Sequence, residues 1–475
     1  MTVFDQQVTS LTPAQEGQWE VMYALCPDDP ARTRHLVFDY RHLQGAVDER
    51  AFMDAFADVT RRHDALRVVF DSVSCDPVIR VEEDAEPAVE FIDLTGLSDR
   101  AQRNRIEEVV FDEGRRCFDL RKGPLWHASV LRLNATSHWL VLSLSHIVAD
   151  GWSSKIFVDD LLAAYRSRTG NGPPLIDDVP ALAEIHDIQR RRLDPLPERL
   201  RYWRECLTAL PDEPYLFRPR VAEADLLTQS VVTFAIPAPT VAGVKRVAWK
   251  ARTTDFVTLL SAYHLLLAIA TGKSRTVVST AALSGVTGRE RRAICQHAND
   301  PYISTDLTDD RTLLDAVRRT HTSMAGALEH LVSYKDVARA VNPDFERVRP
   351  WPDCHLFDGN FFDGAFEPAE LTTSDLRLVR PPLHLDGPPS TYTPDLLWSA
   401  LPPSAHRIWE ANCGPNMEVN TRRDGGALHF NRELLPTELM REFVDRYLWV
   451  VGAIADTPEL TVGALRDKHA QAFPS

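Results

Sequence analysis

The sequence predicts a mixed α/β protein built as two domains. Its 475 residues exceed what one ordinary hydrophobic core organises. Apolar residues make up 44% and charged residues 25% of the chain, the balance of a folded globular protein rather than a disordered or fibrous one. Segments of helical period alternate with segments of strand period on both sides of "SRTGNGPPLIDDVP" at residues 167–180, a Gly- and Pro-rich stretch without periodicity that reads as the principal linker. The expected units are therefore 1–175 and 176–475.

Taken in chain order, "AFMDAFADVTRRHDALRVVF" from Ala51 is an amphipathic helix running into a strand, and "HASVLRLNATSHWLVLSLSH" from His127 is a hairpin. Beyond the linker come a strand, "QSVVTFAIP" from Gln229, a helix from Thr254 to Ala270, and a second strand, "TVVSTAAL" from Thr276. In "MEVNTRRDGGALHFN" from Met417, Asp424-Gly425-Gly426 between alternating runs signals another hairpin. Residues 347–405 are rich in Pro, Asp and Gly and read mostly as loops with short strands.

Charge and composition exclude several function classes. A net charge of −15 repels nucleic acid and anionic membrane, so neither is expected as a partner. The most apolar stretch, "FVTLLSAYHLLLAIATG" from Phe256, is too short for a membrane span and carries Tyr263 and His264, which fits a buried helix. The opening "MTVFDQQVTSLTPAQ" lacks the basic and apolar regions of a secretory leader, and the seven cysteines form no C-x-x-C pair. A cytoplasmic protein with reduced thiols and no metal is expected. "TGKS" at residues 271–274 has Leu267 where a phosphate loop requires glycine, and no G-x-S-x-G elbow is present. The Cys, His and Asp of "CHLFDGNFFDGAF" from Cys354 match no metal-ligand spacing.

The chemistry-bearing stretch is "SLSHIVADGWSS" at residues 143–154. "HWLVLSLS" is a strand by composition, and alternation puts Leu140, Leu142, Leu144 and His146 on one face and Trp139, Val141, Ser143 and Ser145 on the other. After a short turn through Asp150 and Gly151, "SSKIFVDDLLAAYRS" begins with serines suited to a helix N-cap. Strand, tight loop and helix together place an imidazole at a strand end facing a cleft, and Gly151 lets a backbone N–H approach a ligand. A core histidine bonded to a nearby aspartate would show the same residues.

The motif resembles the H-H-x-x-x-D-G core of the condensation domains of nonribosomal peptide synthetases, here Ser145-His146-Ile147-Val148-Ala149-Asp150-Gly151, continued by Trp152 and Ser153. Further segments resemble the family's motifs in order: "LTPAQEGQW" from Leu11, "RRHDALRVVF" from Arg61, "GPLWHASVLRL" from Gly123, "VTGRERRAICQHANDPY" from Val286 and "LHFNRELLPTELMREFVDRYLWVV" from Leu428. The resemblance implies two chloramphenicol-acetyltransferase-like subdomains in a V-shaped pseudo-dimer with an interface tunnel. It also implies a free-standing enzyme that joins a carrier-bound acyl thioester to an amine or alcohol in natural-product biosynthesis. Substrates would arrive on the phosphopantetheine of an acyl or peptidyl carrier protein acting in trans, with no tightly bound cofactor. An acyl-CoA-dependent O- or N-acyltransferase, or a non-catalytic recruitment domain of the same fold, are the alternatives.

On these residues His146 is assigned as general base or orienting group, and the Gly151 N–H as an oxyanion donor. Asp150 would hold the loop by pairing with Arg289 of the other subdomain. Ser145, Trp152, His297 and Asn299 are candidates for lining the substrate. Ser145 stands in place of the first motif histidine, a change that by strand alternation need not remove the chemistry, and Cys295, His297, Pro301 and Ser333 depart from the family's Gly, Phe, Leu and Pro, which implies an altered substrate or a specialised pathway role. The basic run "QRRRLDPLPERLRYWREC" from Gln189 is either a solvated helix face or, through Arg190, Arg191 and Arg192, a docking surface for an acidic carrier.

Overall fold

In the first half of the chain, alternating apolar residues build strands that pair around one long hairpin. The computed structural model describes residues 11–16, 18–19, 32–33, 36–72, 77–114, 116–176, 178–207, 229–283, 286, 288–341, 359–363, 370–372, 376–379, 416–421, 424–431 and 435–474. The strands of the first half are β1 (Arg32–Thr33), β2 (Leu36–Gln44), β3 (Val68–Ser72), β4 (Val78–Val81), β5 (Val89–Asp93), β6 (Phe118–Asp119), β7 (Trp126–Asn134) and β8 (Ser137–Ser145). The expected hairpin is β7 paired antiparallel with β8. Helix α1 (Glu49–Arg62) starts at Asp48, whose Oδ1 accepts from Ala51 N at 3.0 Å, and α2 (Asp99–Gly114) and α3 (Gly151–Arg168) follow. Phe52, Phe56, Trp126 and Phe157 form the aromatic centre of a core between α1, α3 and the sheet.

After an irregular stretch come α4 (Leu182–Arg192) and α5 (Leu196–Leu207), then β9 (Gln229–Ala235), α6 (Ala238–Ala251), α7 (Asp255–Thr271) and β10 (Arg275–Ser279). The remaining elements are β11 (Tyr302–Asp306), α8 (Leu313–Glu329), α9 (Tyr334–Val341), β12 (Gly359–Asp363), β13 (Glu370–Thr372), β14 (Arg377–Val379), β15 (Asn416–Asn420), β16 (Gly425–Asn431), α10 (Thr437–Asp456) and α11 (Val462–Ala472). Helix α7 is the expected buried apolar helix, capped by the Thr254 hydroxyl, and Val257 to Ala268 are all buried. No single described helix is long and apolar enough to cross a membrane, and α6 and α7, which pass by length and composition only together, are bent by 100°.

Two six-stranded sheets result, ordered β13-β14-β2-β8-β7-β5 and β11-β10-β12-β15-β16-β9. Each has its own core, one reaching from Leu11 to Ile185 and the other from Trp203 to Leu465. The first core also takes in Ala293, Ile294, Cys295, Leu376 and Leu378, because β14 crosses back to pair with β2. We keep the division into 1–175 and 176–475 as a proposal, with α4, residues 293–295 and β13–β14 lent to the first core. Strands β12 to β14 are the short strands expected within 347–405, and most of that stretch, including Cys354, lies outside the described residues.

The expected hairpin near Asp424 is β15 paired antiparallel with β16, but the role of its glycines differs from expectation. Its left-handed residue is Asp424 itself, at φ 51°, and Gly425 and Gly426 already belong to β16. A Cβ on Gly426 would stand 2.2 Å from Glu418 O, and one on Gly425 2.6 Å from Phe234 O. Close strand approach, not turn geometry, requires glycine at both.

Candidate active site

The loop that ends β8 is held from three directions. Strand pairing stops at Ser145, His146 to Val148 form a turn, and Asp150 then caps α3. The cap is reciprocal: Asp150 Oδ1 accepts from Ser153 N at 2.9 Å, and Ser153 Oγ accepts from Asp150 N at 3.1 Å. From the N-terminal side, Gln15 Nε2 donates to Ile147 O at 2.8 Å, while Gln15 Oε1 accepts from Thr12 N at 3.0 Å. Gln15 is a loop-holding residue that sequence reasoning missed, although the quoted "LTPAQEGQW" motif contains it.

The third direction is the segment between Ala293 and Asn299, which belongs to the second half of the chain. His297 N and Ala298 N both donate to Asp150 Oδ2, each at 3.0 Å. The Ser153 hydroxyl lies 2.8 Å from Asp150 Oδ1 and 2.9 Å from Cys295 O, and its single proton serves one of them, while Cys295 N donates back to it at 3.3 Å. Ile294 N donates to His63 Nδ1 at 3.2 Å, which leaves the proton on His63 Nε2 for Asp160 Oδ2 at 2.8 Å. Burial lowers the His63 pKa, against the pull of Asp160, in keeping with this neutral tautomer.

The expected Asp150–Arg289 pair is therefore corrected. Asp150 is almost fully buried, and its two oxygens are taken up by main-chain N–H groups and Ser153. Arg289 is exposed and donates to Asp178 O at 3.2 Å and Glu184 Oε1 at 3.4 Å. The cross-lobe anchor that sequence reasoning gave to a guanidinium is made by backbone amides. A bent main chain can aim two successive N–H groups at one carboxylate oxygen, and no residue type reveals it.

His146 retains surface open to solvent, whereas Ser145, Ile147, Val148, Ala149 and Asp150 are buried. Its imidazole pKa lies below the ordinary 6.5, chiefly through desolvation, with the Asp150 charge and bonds to the Gln296 side chain and nearby backbone acting in the opposite direction. The ring is thus neutral at pH 7 and fit to accept a proton. Gly151 opens α3, and a Cβ built there meets nothing within 4 Å. Its φ is not left-handed, so neither backbone conformation nor a protein neighbour demands glycine; the residue leaves free space beside a first-turn N–H that has no partner within the helix.

The other candidate residues divide. Ser145 pairs with Leu36 in the sheet, is fully buried, and its Oγ bonds to no described group. Trp152 is half-buried at the lobe junction, with Nε1 donating to Arg291 O at 3.0 Å and the Arg291 guanidinium 5.2 Å from its ring centre. His297 and Asn299 line a cleft of about 120 Å³ together with Pro13, Gln189, Arg192 and Glu329. Within it His297 Nδ1 is 3.4 Å from Gln189 Nε2 and His297 Nε2 is 3.3 Å from Ala293 O. Within the basic run Arg190 donates to Leu11 O and Glu16 and Arg192 pairs with Glu290, while Arg190 and Arg191 stay exposed at the surface.

Two sheets with separate cores, meeting at a histidine loop sealed by main-chain bonds, define a chloramphenicol-acetyltransferase-like architecture. The sequence profile of the Condensation domain matches residues 5–343, and the chain belongs to that family. Among curated relatives it is 28% identical over 322 residues to chondramide synthase cmdD of Chondromyces crocatus, a match covering 67% of this chain and 8% of that protein. It is 32% identical over 259 residues to phosphinothricin tripeptide synthetase PhsC of Streptomyces viridochromogenes, covering 53% of this chain and 24% of the relative. The chain thus spans a quarter or less of the length of these relatives. Among solved structures it is similar to the X-domain from teicoplanin biosynthesis, at TM-score 0.75 and 20% identity over 98% of both chains. It is also similar to the condensation domain of the Monacolin K polyketide synthase MokA, at TM-score 0.72 and 17% identity over 96% of this chain and 99% of that one.

Proposed function

We propose that this chain transfers a carrier-bound acyl group from its thioester to an amine or alcohol, with His146 as general base. The nucleophile loses its proton to the neutral imidazole and attacks the thioester carbonyl. The new C–N or C–O bond then replaces the C–S bond, and the proton passes from His146 to the departing thiolate. In this reading the Gly151 N–H stabilises the oxyanion, and Asp150 acts by holding the loop against residues 297–298. The observation that carries this reading is a neutral imidazole with open surface at the junction of two lobes, a few residues from a glycine that only free space accounts for. The phosphopantetheine of a carrier acting in trans would present the donor, in a cytoplasmic setting. Natural-product assembly is the context its relatives suggest.

The test is acyl transfer with the donor offered in parallel on a holo carrier and on CoA. His146→Ala should reduce turnover by about 10² to 10⁴-fold with an unchanged melting curve. Turnover close to that of the unaltered protein would remove the base assignment. A second reading, recruitment of another protein, is favoured by similarity to a domain solved as a complex of the X-domain and OxyB. It would prevail if the unaltered chain bound a partner protein yet transferred no acyl group from either donor.

A further inference from the structure

Thr12-Pro13-Ala14-Gln15 has the composition of a helix start, with a threonine cap, proline in the first helical position and glutamine in the third. The chain folds accordingly. Residues 13–16 form one helical turn, Glu16 N donates to Thr12 O at 2.9 Å, and Thr12 Oγ1 accepts from Gln15 N at 3.2 Å. Gln15 Oε1 completes the reciprocal cap by accepting from Thr12 N at 3.0 Å. This arrangement asks only for an acceptor in the third position, so glutamate would serve it as well as glutamine.

The amide nitrogen is what glutamate lacks, and it is in use. Gln15 Nε2 donates at 2.8 Å to Ile147 O, 132 residues further along the chain and in the residue next to His146. Ile147 is fully buried and Gln15 is 1% exposed, so the bond is made out of reach of solvent. Without it a buried carbonyl would be orphaned, and the turn would have to rearrange to satisfy it. Thr12 N fixes the oxygen of the carboxamide and thereby the direction of its nitrogen. Val148 N donates to Ser145 O at 3.1 Å across the same turn, and His297 and Ala298 fasten its other end at Asp150. His146 therefore sits between the last residue of β8 and a carbonyl held by Gln15.

We propose that Gln15 is a positioning residue: its amide N–H, through Ile147 O, holds the His146 imidazole in the orientation from which it takes the proton of the attacking nucleophile. This rests on the acyl-transfer reading of His146. Gln15 acts through the turn and not on the substrate, so it sets the rate of the reaction and not the affinity for the donor. A catalytic group displaced by about 1 Å can lose about 10²-fold in rate.

The experiment compares the full unaltered chain with Gln15→Glu and Gln15→Met at pH 6 and pH 8.5, reading turnover, the KM of the donor and the proton resonance of the His146 ring, which is identified by its absence in His146→Ala. Glutamate keeps the cap on Thr12 N but, once ionised, has no proton for Ile147 O; protonated, its O–H can donate there, and burial favours the protonated form. At pH 8.5 Gln15→Glu should lose about tenfold or more in kcat with an unchanged KM, and its ring resonance should depart from that of the unaltered chain. At pH 6 both should return to the values of the unaltered chain at that pH, with melting within a degree or two. Gln15→Met, which has no donor at any pH, should lose kcat to the same extent at both. Turnover and ring resonance unchanged in Gln15→Glu at pH 8.5, or a deficit of equal size at both pH values, would overturn the proposal. Were the unaltered chain to transfer no acyl group, the acyl-transfer reading would fall, and the ring resonance would still decide for or against Gln15.

Discussion

Replacing Asp150 by alanine removes the acceptor for three main-chain N–H groups and for the Ser153 hydroxyl. Loss of the cap on α3 costs about 1 kcal/mol. The amides of His297 and Ala298 each lose a bond to a charged, buried oxygen, a contribution of roughly 1.5 to 3 kcal/mol apiece, and His297 is itself almost fully buried. The contacts share one carboxylate and do not add freely, so we expect a net loss of about 4 kcal/mol, near the low end of the sum. Asp150→Asn should fall between, because its amide keeps an oxygen for Ser153 but turns a donor toward two donors. Arg289→Ala should change stability by no more than about 0.5 kcal/mol, since its bonds lie at the exposed surface. Urea unfolding followed by tryptophan fluorescence, with all three variants under one condition, measures the order. A loss below about 1 kcal/mol for Asp150→Ala, or an equal loss for Arg289→Ala, would refute the assignment of the anchor to backbone amides.

Gly151→Ala should leave the melting temperature within a degree or two of the unaltered protein, because the added methyl meets no described residue beyond its own neighbours in the chain. It should nevertheless lower acyl transfer by about tenfold or more, and undiminished turnover would show that no substrate occupies that space. Glu113 is almost fully buried; burial would raise its carboxyl, but bonds from His127, Arg116 and Ser129 outweigh this and bring it from the ordinary 4.5 to about 2. Its stabilising contribution is therefore fully present above pH 4.5 and fades as the pH falls toward 2, about 3 kcal/mol in all. Glu113→Gln should flatten that part of the acid-unfolding curve, and an identical acid slope in the variant would contradict it.

Much of the architecture is legible in local pattern. The period of two in "HWLVLSLS" and the period of 3.6 after Asp150 suffice for β8, the turn and α3, and with them the position of His146. Ordered motifs extend that reading to the family. What local pattern does not carry is pairing at long range: β14 joins β2 across more than three hundred residues, and nothing in "RLV" from Arg377 announces its neighbour. The same limit explains the misassigned partner of Asp150, since an arginine is visible in a sequence and an aimed amide is not. It also explains Arg190 and Arg192, whose carboxylate partners Glu16 and Glu290 lie far away along the chain.

The backbone seam at residues 294–298 ties the turn after β8 and the cap of α3 to the second half of the chain. Gln296, whose side chain acts to raise the imidazole pKa against desolvation, lies on the same short segment whose amides grip Asp150. Loss of those amide bonds would free the helix cap and the turn that carries His146 together. Because the grip uses main-chain atoms, Cys295 and His297 can differ from the residues usual at those positions without loosening the clasp.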